Sequence, residues 1–280
     1  MLAVIYDDLS IMTTFQKNCI ACGKQFMTPI LSTTGQLCAT CAKQGLFRKK
    51  IIITGITRMN RGNVCVSGID PDTWRFARPV FATGINRDFT MAGTTQVIRH
   101  FNLVEMEFKQ YKPDQIYHTE DWVINENFAP RFIKHLTDAE IVQVLNRMAI
   151  TDLNAAMQPQ DQSLFIVKAQ RIISIWHEQW GKFKVRLSFV DQAGNTYDRI
   201  LVTDLLTLAF VRYQLNNGNT NYSTELMNAF NNNPHRYVRI GLTRIFQGQY
   251  WKQVTALITF PDLFDGNSFS YYENQIGGQA

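Results

Sequence analysis

Cys19, Cys22, Cys38 and Cys41 form two C-x-x-C hooks with fifteen residues between them, a spacing that can fold around one Zn²⁺ with four thiolate ligands. Two cysteines separated by two residues can turn both sulfurs onto one ion, and a second hook brought across a short hairpin completes the tetrahedron. Four protein ligands leave no open position, so the ion predicted here is structural: it couples binding to local folding and does not activate water. A pair of disulfides, or four buried thiols, would use the same residues. The N-terminal stretch MLAVIYDDLS places acids where a secretory signal carries basic residues and has no long apolar core, which predicts a cytoplasmic setting and favours the metal. Cys65, within Val64-Cys65-Val66, has no second hook nearby and reads as a structural thiol rather than a nucleophile.

The 280 residues are 45% apolar and carry a net charge of +5, enough chain for two compact cores beside the metal module. No apolar run approaches the roughly 20 residues that span a bilayer, and no solenoid-type repeat is present. The charge is unevenly placed. From Leu9 to Ile69 there is no Asp or Glu, while Lys17, Lys24, Lys43, Arg48, Lys49, Lys50, Arg58 and Arg61 supply eight positive charges. A Zn²⁺ on four thiolates would itself carry a formal negative charge, lowering the surplus to about six. Such a concentration attracts polyanions, nucleic acid foremost; a solubilising face is the plainer alternative.

These residues must be positioned by short strands. Ile51 to Thr57 is a β-branched run of strand length, Asn60-Arg61-Gly62-Asn63 suits a tight turn, Val64 to Ile69 returns, and Asp70-Pro71-Asp72 turns again into Trp74 to Val80. Further strands are predicted at Val97 to Phe101 and Leu103 to Phe108. Thr137 and Glu140 make a capping box for a helix through Met148, with Ile141, Val144, Leu145 and Met148 on one face, expected to close a first β domain. Asp152 to Ser163 reads as a linker. Leu164 to Trp176 is extended, and in Phe183 to Phe189 the aromatic and aliphatic residues alternate with Lys184, Arg186 and Ser188. Thr196 to Val202 follows, then a helix capped by Asp204. Asn216 to Pro234 is Asn-rich and predicts a long mobile loop around a short helix from Thr224 to Phe230. Arg236 to Thr243 and Lys252 to Phe260 read as an antiparallel pair, and the tail after Pro261 is expected to fray.

The fold class is therefore mainly β with a few helices: a lead segment over residues 1–16, a four-cysteine zinc ribbon over 17–47, OB-like barrels over 48–151 and 164–262, and a tail over 263–280. A β-sandwich or SH3-like barrel would use similar strands. Ile51-Ile52-Ile53-Thr54-Gly55, Gly62 to Ile69, Trp74 to Val80 and Arg239-Ile240-Gly241-Leu242-Thr243-Arg244 resemble the dual-OB-domain (Duob) family of prokaryotic proteins over roughly residues 51 to 262. The resemblance implies nucleic-acid binding by fold analogy and a role in a larger prokaryotic system, defence among the settings; it carries no catalytic residues.

OB barrels grip single strands by stacking bases on aromatic rings while cations track phosphates. The candidate contacts are Arg48, Lys49, Lys50, Arg58, Arg61, Lys184, Arg186, Tyr237 and Arg239. Exposed strand cations also serve as edge protection, and Trp74 and Phe76 read as core or platform alike. His100, His118, His135, His177 and His235 lack metal-ligand spacing, and there is no Walker A loop, dinucleotide fingerprint or nucleophile elbow. The function these patterns predict is non-enzymatic binding of DNA or RNA, single-stranded by preference. A protein-interaction adaptor is the alternative, with an effector enzyme built from scattered carboxylates as a third.

Overall fold

The isoleucine run is the middle of a twelve-residue strand that bends to serve two neighbours at once. The computed structural model describes residues 15–28, 37–42, 46–81, 84–113, 117–178, 180–245 and 247–277. The predicted lead segment, its last two residues apart, lies outside them, as does Lys43.

The N-terminal module comprises β1 (Phe15–Asn18), β2 (Gln25–Thr28) and α1 (Ala39–Ala42). A first set of strands follows: β3 (Phe47–Arg58), β4 (Val64–Asp70), β5 (Arg75–Val80), the small pair β6 (Met91–Ala92) and β7 (Thr95–Gln96), β8 (Asn102–Tyr111), β9 (Asp121–Ile124) and β10 (Arg131–His135). Then come α2 (Asp138–Met148), β11 (Ala149–Ile150) and α3 (Leu153–Met157). The second set is β12 (Leu164–Glu178), β13 (Lys184–Asp191), β14 (Thr196–Val202), α4 (Leu205–Asn216), α5 (Tyr222–Asn231), β15 (His235–Leu242), β16 (Lys252–Phe260) and α6 (Phe269–Gly277). Among the described residues no helix is long and apolar enough to cross a membrane.

Both sets close into five-stranded barrels of the same topology. The first runs β3-β4-β5-β9-β8 and back to β3, the second β12-β13-β14-β16-β15 and back to β12. In each, the third and fifth strands pair in parallel and every other contact is antiparallel. Closure removes the free edges that an open sheet would expose. The first strand of each barrel must turn a corner, and each does so at a bulge. β3 pairs with β8 over Phe47 to Ile52 and with β4 from Ile52 onward, with a register shift between Ile53 and Gly55. β12 pairs with β15 over Leu164 to Lys168 and with β13 beyond, with shifts after Ala169 and Ile172. Bulges bend strands in this way. A Cβ on Gly68 would fall 2.1 Å from the Ile52 carbonyl oxygen beside the β3 bend, so only glycine fits there.

The capping box at Thr137 and Glu140 forms as the spacing requires. The helix it starts, α2, does more than close the first barrel. Its buried face of Ile141, Val144 and Leu145 shares a cluster with Ile52, Ile69 and Phe76 of the first barrel and Leu164, Ile166, Tyr237 and Ile258 of the second. Immediately after it, β11 pairs in parallel with β12, so Ala149 and Ile150 belong to the second sheet.

Four predicted elements differ. The predicted linker from Asp152 to Ser163 begins with α3, where Asp152 Oδ1 accepts the Ala155 N–H at 3.0 Å and Leu153 is buried. Val97 to Phe101 is not a strand: Val97 and Ile98 both donate their backbone N–H to the Thr90 carbonyl at 3.0 and 3.1 Å, which satisfies them without a ladder. The Asn-rich segment is ordered around α5, because Leu226 and Phe230 are buried and the Asn231 side chain bonds both the N–H and the carbonyl of Ile172 on β12 at 2.7 and 3.0 Å. The tail forms α6, where the buried Tyr272 ring lies 5.4 Å from Phe210 and from Tyr213 of α4 and its hydroxyl donates to the Phe264 carbonyl. Aromatic contacts, rather than an aliphatic periodicity, hold that last helix.

Leu145 is fully buried in the cluster shared by both barrels. Truncating it in Leu145→Ala is expected to lower stability by about 2–5 kcal/mol, read as a fall in the urea midpoint.

Candidate metal centre and nucleic-acid interface

The turn between β1 and β2 is a knuckle: Gly23 N–H donates to the Cys19 carbonyl at 2.8 Å, Cys19 N–H to the Lys24 carbonyl at 2.9 Å, and Gly23 takes a φ of +72° that favours glycine. The second hook lies at the start of α1, and Cys38 N–H donates to the Cys19 sulfur at 3.3 Å. The four sulfurs lie within 4.8 Å of one another. A tetrahedral ion with thiolate bonds of about 2.3 Å separates its sulfurs by roughly 3.8 Å, so the donor set accommodates a metal ion with little movement. No disulfide joins the cysteines. Burial would raise the Cys19 pKa, but hydrogen bonds from the Cys38 and Cys22 backbone outweigh it and bring it to about 7, whereas burial pushes Cys22 and Cys41 up, so an ion binding here would displace their protons.

Lys49 docks this module onto the first barrel. Its buried ammonium donates to the carbonyls of Ile20 and Ala21, inside the first hook, at 3.2 and 2.9 Å, and to Asp70 Oδ2 at 2.5 Å. It also stands 4.8 Å from the centroid of Trp122. Three N–H donors have three acceptors, so Lys49 is not a phosphate contact. Tyr237 and Arg239 also leave the surface: Tyr237 is buried beneath α2, with its hydroxyl 3.4 Å from Asn146 Oδ1, and Arg239 is fully buried between the barrels. Strand alternation placed both on a polar face, but the face of β15 that one barrel alone would expose is covered by the other barrel and by α2.

The remaining predicted cations stay accessible but are scattered. Lys50 and Arg61 are exposed. Arg48 is exposed yet paired with Glu107 at 3.0 Å. Lys184 and Arg186 share Glu178 at 3.5 and 2.7 Å. Arg58 is half-buried and donates to the Phe183 carbonyl at 3.0 Å.

Arg58 and Arg239 meet at a cleft of about 640 Å³ between the barrels, where they are joined by Arg78 and Arg244. Among the described residues no Asp or Glu lines it. Arg78 donates to Asp121 Oδ1 at 2.5 Å, to Ser163 Oγ at 3.2 Å and to His118 Nδ1 at 2.6 Å. Burial, with the Arg78 charge beside it, pushes His118 down to about 4, so the ring is neutral at pH 7 and Nδ1 accepts. The other oxygen of Asp121 takes Arg244 at 3.0 Å, tying the β15–β16 loop to the first barrel. Glu120 accepts from the Ser163 and Leu164 backbone N–H groups at 2.5 and 3.2 Å, anchoring the start of β12. Arg244 and the pairing of Arg78 escaped the sequence reading, because their partners lie far away along the chain. Cys65 is half-buried on the cleft wall, and burial raises its pKa, so it remains a protonated thiol.

Loops of both barrels converge on this cleft. Met59 and Asn60 come from the β3–β4 loop, His118 from the β8–β9 loop, and Thr243, Arg244 and Ile245 from the β15–β16 loop. The fourth loop, between β12 and β13, adjoins through the Arg58 bond to Phe183 and raises Trp180, 93% exposed, at its tip. Nothing in the local pattern around Trp180 marked it in advance beyond the turn-forming Gly181 that follows.

Two buried groups near the joint oppose each other in pH. Burial, with the Arg239 and Arg99 charges, pushes His100 down to about 3, while burial raises Asp204 to about 6 against its bonds to Thr207; they lie 3.7 Å apart. As pH falls below 6.5, unfolded His100 takes up a proton that the folded state refuses, so stability declines toward pH 3. Folded Asp204 takes up its proton near pH 6 and the unfolded residue only near 4, so stability rises over that interval. Asp204→Asn keeps a good helix cap and removes the second contribution. Its thermal midpoint is expected to fall more steeply between pH 6 and 4 than that of the unaltered chain.

The family model described as "Dual OB-containing domain" matches residues 49–257. No curated protein matches the chain significantly.

Proposed function

The chain belongs to the family defined by the dual OB-containing domain, and from that premise we propose that it is a non-enzymatic protein that binds single-stranded nucleic acid and carries one structural Zn²⁺. The observation that carries this reading is the convergence of the β3–β4, β8–β9 and β15–β16 loops on one arginine-lined cleft, with the β12–β13 loop adjoining through Arg58. In an OB-fold these are the loops between strands 1 and 2 and between strands 4 and 5, which with the strand 2–3 face hold oligonucleotides. Cations there track the backbone, and an aromatic side chain offers a base a stacking platform whatever its identity. Trp180 is that platform, with Lys182 exposed beside it.

Zinc is the ion that four soft thiolates in a closed tetrahedral set favour. With no position left for water, it holds the knuckle and does no chemistry. Free cysteines agree with a reducing, cytoplasmic setting. The same exposed Trp180 favours a second reading, an adaptor whose protein partner takes the indole as a hot spot.

Binding of the zinc-loaded protein to labelled single- and double-stranded DNA and RNA across a salt series separates the two. Single strands are expected to bind more tightly than duplex, with affinity falling steeply as salt rises. Trp180→Ala should weaken single-strand binding by about 1–3 kcal/mol, or roughly 5- to 150-fold, with little change in salt slope. Absence of binding by the folded protein at low salt sinks the nucleic-acid reading and leaves the adaptor. Chelation of the metal should render residues 15–42 susceptible to protease and release close to one equivalent of zinc per chain; release of another metal, or of none, contradicts the assignment.

A further inference from the structure

Two arginines are buried at the cleft, and only one of them has an anion. Arg78 has Asp121 at 2.5 Å and Glu120 at 3.7 Å. Arg239 crosses from β15 into the first barrel, donating from Nη2 to Ser67 Oγ at 2.8 Å and from Nη1 to Thr255 Oγ1 at 2.8 Å, with Phe76 5.7 Å from its guanidinium carbon. Its Nε has no partner, and among the described residues no carboxylate lies within 4 Å of it. The nearby acids are engaged elsewhere, Glu120 with the start of β12 and Asp204 with the cap of α4. Burial lowers the Arg239 pKa to about 10, which still leaves it charged at neutral pH. The space is reserved for it: a Cβ on Gly55 would stand 2.3 Å from Arg239 Nη1.

A buried cation without a counter-ion carries a large desolvation penalty, and Arg239 stands in the wall of the cleft. There the wall offers Arg58 and the half-exposed Arg244, whose Nη2 also holds Asp121, as charged donors and Gln253 as a neutral one. The volume of about 640 Å³ is that of a small-molecule site. We propose that this cleft binds a phosphate monoester, with Arg58 and Arg244 contacting the phosphate and Arg239 supplying the positive charge beneath it. A dianion suits a basic cleft better than a single charge does. A phosphate within a continuous strand would need chain to enter and leave past the same residues, whereas a terminal phosphate enters once. The monoester has two sources, the end of a nucleic-acid strand or a free mononucleotide, and only the first rests on the single-strand reading above.

The test uses the zinc-loaded full chain. One oligonucleotide is compared with 5′-phosphate, 3′-phosphate and hydroxyl ends by fluorescence anisotropy, and a 5′-mononucleotide is compared with its nucleoside and with inorganic phosphate by thermal shift. One phosphorylated end is expected to bind about 10- to 150-fold more tightly than the hydroxyl end, the worth of a charge-assisted bond. Arg58→Gln and Arg244→Gln should each weaken the phosphorylated end more than the hydroxyl end and so shrink that ratio, and Arg239→Met should abolish it. Should Arg239→Met not fold by circular dichroism, the two mouth variants carry the test. If no strand binds but the mononucleotide raises the midpoint and its nucleoside does not, the source is the free nucleotide and the single-strand reading fails alone. If strands bind equally with and without phosphate and the mononucleotide gives no shift, the phosphate site is overturned and the single-strand reading stands.

Discussion

The guanidinium of Arg239 sits where the two barrels touch, and much of the architecture is arranged to keep it there. It starts on β15 and ends against Ser67 of β4, below Phe76 of β5 and over the bare backbone of Gly55 in β3. A charge in such a place demands donors and acceptors at fixed positions, so the barrels cannot rotate or slide against one another without leaving it unsatisfied. Apolar packing by α2 fills one side of the joint, and the Asp121 and Glu120 contacts close the other. Between them lies the cleft. Its geometry follows from how the two domains dock rather than from either barrel by itself.

What could be read in advance was what depends on near neighbours. Two C-x-x-C hooks, a Thr-x-x-Glu cap and the alternation Phe183, Val185, Leu187 and Phe189 each state their structure within a few residues, and each is found in the fold. Lys49 shows where such reasoning stops. Its neighbours Arg48 and Lys50 are exposed, whereas alternation turns Lys49 to the opposite face of β3, where the N-terminal module, Asp70 and Trp122 cover it. Arg78, Asp121 and Arg244 lie on three separate elements of two barrels, and their meeting is a property of docking that no window of sequence contains. The order of the segment around α5, and helix α6, were hidden for a different reason. Asparagine in α5 bonds backbone and aromatic rings in α6 pack edge to face, neither of which leaves an aliphatic period.

The two barrels repeat one strand order and one bend of the first strand, yet they differ in what joins the third strand to the fourth. The second inserts α4 and α5, whereas the described residues of the first form a single 3-10 turn at Asp88–Thr90 and the β6–β7 pair. Consequently the first barrel borrows cover: Thr203 accepts from the Arg58 N–H at 2.8 Å, and α4 begins beside β3. The inequality of the halves explains why they form one continuous core rather than two beads on a linker.

Lys49 has a consequence for the metal. Two of its three acceptors are carbonyls of the first hook, and the third is Asp70 of the barrel. Detaching the knuckle would leave an ammonium facing a carboxylate with fewer partners than it needs, so an ion held by the four cysteines would, on departing, cost the barrel free energy. Linkage would make that loss reciprocal. The folded barrel would hold such an ion more tightly than the excised cysteine peptide could, by the same amount that the ion would steady the barrel.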